Sequence, residues 1–414
     1  MRVQIFVDCY LPSTKSSAKL VHDLAVEFRR LGHDPCIVAP DDSLSTDCRV
    51  DREQSITVVR VKSGKIKGAG RIRRGITEAR LSATIWKKAR AYFQAHPCDL
   101  IVFYSPSIFF GALVARLKKL WKCQAYLILR DIFPQWALDT GALKKGPAYW
   151  YFRRKELAQY AVADVIGVQS PANLCYFRDQ ALDGNYRLEV LYNWTTLQEN
   201  NVPKTNFRER LNLAGKAIFF YGGNIGVAQD MDNMLRLAAN LRHERDLHFL
   251  LMGDGSEVAR LQAQIAERKL ANISLHPSVD QRQYLGILAE IEVGLISLDR
   301  QLQTQNVPGK MLGYMYYGRP ILASINPGND LRDLLERHQA GLVYVNGDDR
   351  QLCDGALQLA RSQDLRGQLG RNGRRLLERN FSVTRAAEQI LAHFQTTRRP
   401  DISPSTAKPT RATA

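Results

Sequence analysis

Asn306-Val-Pro-Gly-Lys-Met-Leu-Gly-Tyr-Met-Tyr-Tyr-Gly-Arg-Pro320 lies between two apolar runs, Val293 to Ser297 and Ile321 to Ile325. The order reads as strand, loop, helix, Gly-x-Pro turn, strand. The loop sets Asn306 and Lys310 at the N-terminal end of the helix. Free backbone N–H groups, the positive end of the helix dipole and one ammonium converge there. That combination suits a diphosphate. An ordinary strand–helix turn with a solvated lysine explains the same residues, and the turn alone does not choose.

The alternation extends through both halves of the chain. Period-2 and continuous apolar runs predict strands at 3–7, 35–38, 56–61, 100–104, 125–129, 165–168 and 188–192. Helical patterns fill 17–31, 75–94, 108–120, 149–160 and 173–180, with Ser16 and Ser17 as caps and Gly32 as a stop. Residues 195–210 are polar and aperiodic and read as a linker. Strand runs then resume at 217–221, 247–252, 273–276, 293–297, 321–324 and 342–345. This pattern predicts an α/β chain of two doubly wound, mostly parallel domains facing a central cleft. The expected division is a basic first domain over 1–195, a second over 196–380, a closing helix over 381–396 and a disordered tail over 397–414.

Among the 414 residues no window holds 18 uninterrupted apolar ones, and the N-terminus runs straight into a strand. Seven scattered cysteines lack metal spacing and read as free thiols in a reducing cytosol. The net charge of +17 is concentrated: between Arg60 and Arg90 stand eleven Lys or Arg and one acid, Glu78. Nucleic acid is not indicated, because no helix-turn-helix, zinc or RNA-recognition signature accompanies the charge. Ile72, Ile76, Ala79, Ala83, Trp86 and Tyr92/Phe93 recur at helical spacing among basic residues. A basic amphipathic segment with an interfacial aromatic suits an anionic membrane surface; a solvated basic face is the plainer alternative.

Several loops follow strands and carry candidate chemistry. Phe219-Phe-Tyr-Gly-Gly-Asn-Ile-Gly-Val-Ala-Gln-Asp230 runs from strand through Gly222, Gly223 and Gly226 into a helix, with Asn224 and Gln229 able to bond phosphate or sugar. It is neither Gly-x-Gly-x-x-Gly nor a P-loop, and a structural turn fits equally. Gly253 and Asp254, in Met252-Gly-Asp-Gly-Ser256, form either a capped turn or the rim of a nucleotide pocket. Gly328, Asn329 and Asp330 either touch ribose or sugar or cap the helix they begin. Arg130 and Asp131 close a strand, as a cleft-facing pair or a structural ion pair. Asp8, Lys15, Ser16, Ser17 and His22 make the first strand-to-helix crossing, where His22 is more readily packed than catalytic. No glycosidase-like carboxylate dyad, metal cluster or Asp-x-Asp of the kind that holds a metal–diphosphate is evident.

Taken together these loops resemble glycosyltransferase family 4, which has the GT-B fold. The general pattern is Leu31-Gly-His33, Gly253-Asp-Gly255, Gly318-Arg-Pro320 and Ala340-Gly-Leu342. Ser16-Ser-Ala-Lys19, Arg130-Asp-Ile-Phe-Pro134, Tyr192-Asn-Trp194, Gly222-Gly-Asn-Ile-Gly226 with Gln229, Val307-Pro-Gly-Lys310 and Gly328-Asn-Asp-Leu331 resemble the WbuB-like bacterial subgroup. The Glu-x7-Glu pair common in the family is absent: Gln305 and Gly313 stand there, and Asn224 and Gln229 replace its Arg and Lys.

The resemblance implies a retaining, metal-independent hexosyltransferase with no cofactor. It would move a sugar, such as N-acetyl-L-fucosamine, from a UDP-linked donor to a polyprenyl-diphosphate-linked acceptor. The setting would be O-antigen or capsule assembly, on the inner face of the plasma membrane. Lys310 and Asp131 would be catalytic. Gly222, Gly223, Asn224, Gly226, Gln229, Gly253, Asp254, Asn306, Gly328, Asn329 and Asp330 would bind the donor. Ser16, Ser17, His22 and Arg130 would serve the acceptor side. A GT-B-like nucleotide-sugar 2-epimerase and a non-catalytic nucleotide-sugar-binding scaffold are the alternatives.

Overall fold

The computed structural model describes residues 1–13, 15–64, 75, 77–139, 141–197, 205–302 and 307–394. Two sheets organise them. The first has eight strands: β1 (Arg2–Phe6), β2 (Asp34–Asp41), β3 (Cys48–Glu53), β4 (Ile56–Lys62), β5 (Leu100–Tyr104), β6 (Gln124–Leu129), β7 (Val165–Val168) and β8 (Leu188–Val190). Their order is β3-β4-β2-β1-β5-β6-β7-β8. The second has six: β9 (Ala217–Gly222), β10 (Leu247–Met252), β11 (Ile273–His276), β12 (Val293–Ser297), β13 (Ile321–Ile325) and β14 (Gly341–Val345), in the order β11-β10-β9-β12-β13-β14. All pairings are parallel except β3 with β4. The central strands are mostly apolar because helices cover both faces; β5, for example, buries all five residues of Leu-Ile-Val-Phe-Tyr.

In each sheet the strand order reverses once, between β1 and β5 and between β9 and β12. Diverging connections there leave a crevice at the carboxyl ends of the strands. Asp8 follows β1 at one crevice, and Gly223 follows β9 at the other.

The strand at Cys48–Glu53 is an addition to the expected set. Its sequence, Cys-Arg-Val-Asp-Arg-Glu, is charged because it is an antiparallel edge strand. Within the expected linker, Phe207–Arg210 forms a short helix; Phe207 is buried, and Arg208 binds the Glu292 carboxylate at 2.7 Å.

The amphipathic segment around Trp86 requires a correction. The helix Leu81–Ala95 turns Ile85, Ala89 and Phe93 into the core between the sheet and the helix Gly111–Trp121. Trp86 is half-buried, with the guanidinium groups of Arg90 and Arg116 each 5.8 Å from its ring. The apolar stripe of this helix thus faces the core, with Trp86 and Tyr92 half-buried at its edge. Ile72 and Ile76 lie outside the described residues, as does the tail 397–414.

The last helix, Val383–Ala392, returns to the first domain. Thr195 and Ser382 form a parallel bridge where the chain crosses. Val383, Ala386, Ile390 and Leu391 then share a core with Val21, Leu24 and Phe28 of the helix Ser16–Arg30. A second link joins the domains near the cleft: the Ala172 backbone N–H, opening the helix Pro171–Asp179, donates to Asp330 Oδ2 at 2.7 Å.

Candidate active site

Two glycine loops at the ends of β9 and β10 are laced together by backbone bonds. Gly223 N–H donates to Met252 O at 2.9 Å, and Ile225 N–H donates to Asp254 O at 2.9 Å. The approach leaves no room for side chains. A Cβ on Gly253 would lie 1.8 Å from Gly223 O, and one on Gly255 2.0 Å from Ile225 O. Gly222 is equally confined, since its Cβ would meet Tyr284 at 2.5 Å. Gly253→Ala is therefore expected to part the two loops and weaken binding of a nucleotide ligand at least about tenfold by calorimetry. Affinity within twofold of the parent would refute this account of the loops.

Lys310 opens the helix Lys310–Tyr316 and reaches over the first loop. Its Nζ sits 3.3 Å from the centre of the Tyr221 ring and 3.7 Å from where a Gly223 Cβ would stand. Tyr221 is fully buried and anchored by its hydroxyl to Asn224 O at 2.6 Å. Among the described residues no carboxylate forms an ion pair with Lys310, and burial pushes its pKa down to about 7. A cation desolvated without an acid partner is stabilised by an incoming anion.

The other donor-side candidates are placed unequally. Asn224 and Gln229 bond each other at 2.8 Å, and Gln229 also accepts from Gly226 N–H at 3.2 Å, which closes the loop. Asp254 accepts a hydrogen bond from Ser278 at the cavity rim. Gly328 holds φ +72° and faces open space, so it serves as the turn into the helix that follows. Asn329 is corrected to a helix cap: its Oδ1 accepts from Leu331 N–H at 3.0 Å and its Nδ2 donates to Asn326 at 2.8 Å. Asp330 is corrected likewise, because its Oδ2 is taken by the first-domain helix. Asn306 lies outside the described residues.

A cavity of about 320 Å³ opens beside the loops at the carboxyl ends of β10 and β11. Met252, His276, Pro277, Val279 and Ile287 line it, a mostly apolar slot with Ser278 at its edge.

On the first domain, Asp131 follows β6 and its side chain reaches solvent in the cleft. The protein around its carboxyl still desolvates it and raises its pKa; Arg130 pulls it down and Asp8 pushes it up. The Asp8 carboxyl is likewise raised by burial, against the pull of Lys15, and its Oδ1 is buried without a hydrogen-bond partner. Ser16 is exposed at the mouth, while Ser17 is buried with its hydroxyl 3.3 Å from Cys9 Sγ.

Two acceptor-side expectations are corrected. Arg130 is buried, donates to the carbonyls of Leu191 and Tyr192, and stacks 5.2 Å over Trp194. It braces the turn under Asp131 and does not reach the cleft. His22 is buried with both ring nitrogens engaged, by Tyr10 Oη at 2.6 Å and Gln54 Oε1 at 2.9 Å. Asp8, named in the sequence with the first strand-to-helix crossing but given no role there, joins the site: it stands at a strand tip just as Asp131 does. Tyr221 carries no comparable signal, because a strand tyrosine before a glycine reads as core.

Residues 17–194 match the glycosyl transferase 4-like domain, and residues 215–362 match glycosyl transferases group 1. The chain carries the two domains of a glycosyltransferase. A Pseudomonas aeruginosa protein named "Probable glycosyltransferase WbjE" is 25% identical over 276 residues, 64% of this chain and 66% of that protein. The aligned stretch thus spans just under two thirds of that relative's length. Sucrose-phosphate synthase from Thermosynechococcus elongatus superposes on this chain with a TM-score of 0.69 at 16% identity, covering 95% of this chain and 98% of its own. HepE from Anabaena, in complex with UDP, gives 0.65 at 16% identity, covering 95% and 99%. Likeness at such identity concerns architecture, and the expectation of a GT-B fold holds.

Proposed function

We propose that the chain transfers a sugar from a nucleoside diphosphate to an acceptor hydroxyl held by the first domain. The observation that carries this is Lys310, a desolvated cation with no acid partner among the described residues, poised over a glycine loop at a strand-order switch. The diphosphate would lie along Gly223 beneath the ammonium. The nucleobase would fill the apolar cavity formed by Met252, His276, Pro277 and Val279. As the glycosidic bond breaks, charge grows on the leaving diphosphate oxygen, and Lys310 stabilises it in a water-poor cleft. Asp131, across the cleft, orients the acceptor hydroxyl or stabilises the positive sugar carbon. Among the described residues no base is evident beside the donor loops; the leaving phosphate oxygen takes the acceptor proton, which fits transfer with retention.

The UDP complex of HepE supports uridine as the donor base. The WbuB-like motifs support an N-acetylated deoxyhexosamine, a polyprenyl-diphosphate-linked acceptor and O-antigen or capsule assembly at the inner membrane face.

Titration of UDP by calorimetry tests the donor site. With its pKa near 7, Lys310 is about nine-tenths neutral at pH 8, and a bound diphosphate restores its charge. Binding should therefore take up close to one proton at pH 8, visible as a buffer-dependent enthalpy. Affinity should fall as pH rises from about 7 to about 9. Proton-neutral binding, unchanged in Lys310→Met, would place the diphosphate elsewhere.

A further inference from the structure

The helix Pro147–Tyr160 is built inside out. Its inner side buries Glu156 and Gln159 completely, with Glu156 accepting from Tyr160 and Tyr176 at 2.8 Å each and from Arg153 at 2.6 Å. Its outer side exposes Trp150 to 62% and Tyr151 to 43%. Just before it, Trp136 of the helix Gln135–Asp139 is 41% exposed. Among the described residues these three are the exposed large aromatics, and they fall within one short stretch of chain.

Ring contacts join Trp136 to Tyr151, and Trp150 precedes Tyr151 on the same helix. Trp136 meets Phe133 at 5.9 Å, Phe133 meets Phe152 at 5.0 Å, and Phe152 meets Tyr151 at 5.4 Å. The charges around them have one sign. Lys144, Lys145 and Arg154 are exposed, and Lys155 Nζ lies 5.5 Å over the Tyr151 ring. Between residues 133 and 155 the one acid is Asp139, which accepts from Gln135 at 2.7 Å.

We infer that this patch docks the protein on an anionic bilayer. Tryptophan and tyrosine rings settle at the headgroup level, and long cationic side chains beside them pair with anionic lipid. Among the described residues no helix is long and apolar enough to cross a membrane, so contact through this patch would be peripheral. The basic helix Leu81–Ala95 offers less apolar surface, because Phe93 is buried and Trp86 and Tyr92 are half-buried. The patch begins two residues beyond Asp131. A lipid-anchored acceptor would therefore meet the cleft on its acceptor side, a consequence that rests on the transferase reading, whereas docking itself does not.

Vesicle co-sedimentation of the full chain tests the assignment. Binding is expected to vesicles of phosphatidylcholine with about 30% phosphatidylglycerol, not to phosphatidylcholine alone, and to fall steeply between about 0.1 and about 0.5 M salt. Trp150→Ser with Tyr151→Ser, and separately Lys144→Glu with Lys145→Glu and Arg154→Glu, should each lower the bound fraction about tenfold. Lys87→Glu with Arg90→Glu should change it less than twofold. UDP affinity should stay at the parent value in the patch variants, which shows that they fold. No vesicle binding, binding untouched by both patch variants, loss only through Lys87 and Arg90, or tighter binding to single-stranded DNA at the same salt would each overturn the inference. Loss of UDP binding in the parent protein, with vesicle binding intact, would fall on the donor-site reading alone.

Discussion

Lys310→Met is expected to lower kcat/KM for sugar transfer about 10²–10³-fold, a loss of roughly 3–4 kcal/mol of transition-state stabilisation. The same change should raise the melting temperature. In the unfolded chain the lysine is an ordinary one that holds its proton up to a pKa of 10.5, whereas burial over Tyr221 brings the folded value down to about 7. Between those values the unfolded state binds the extra proton, so stability rises with pH. Below about 7 both states are charged and the folded protein bears the full desolvation cost. Methionine removes that cost and should add about 3–6 °C at neutral pH. Lys310→Arg separates charge from titration: it should retain part of the UDP affinity and lose the proton uptake, because a guanidinium does not deprotonate in this range. Activity within threefold of the parent in Lys310→Met would end the phosphate role.

Asp131→Asn is expected to cut kcat about 10²-fold while leaving the Kd for UDP within about twofold. Asparagine keeps the shape and the acceptor oxygen of aspartate and loses the negative charge that faces the reacting sugar. The carboxyl pKa is raised above its ordinary 3.8 by burial and by Asp8. The acid limb of the kcat profile should therefore lie above the usual carboxylate range and disappear in the variant. A raised carboxyl favours the protonated form in the fold, so the ionised group costs stability above its unfolded pKa. The neutral variant should accordingly be no less stable than the parent at pH 7. A fall of less than threefold in kcat would assign Asp131 a structural role, as Arg130 already has.

The architecture is legible in the sequence because its determinants are local. Apolar runs such as Leu100–Tyr104, buried on both faces, and caps such as Asn329 announce themselves in a few residues. What is not legible depends on distant partners. Cys48–Glu53 reads as a loop until β4 is beside it. The stripe containing Trp86 has the right period, but period alone does not say which side of the helix meets protein; the distant helix Gly111–Trp121, packed with Ile85, Ala89 and Phe93, does. Helix Pro147–Tyr160 misleads in the opposite sense, since Glu156 and Gln159 look like a solvent face and are the core. Asp330 reads as a sugar ligand because the sequence holds no hint that Ala172 lies within reach. Lys310 is found from its turn, yet the Tyr221 ring it is buried against belongs to another strand.

The return of Val383–Ala392 to the first domain has a bearing on biosynthesis. As the chain leaves the ribosome, the N-terminal domain holds an open apolar flank over Val21, Leu24 and Phe28 until residues 383–394 emerge. The domain made first is thus completed last, and its exposed flank must be shielded from neighbouring nascent chains throughout translation of the other.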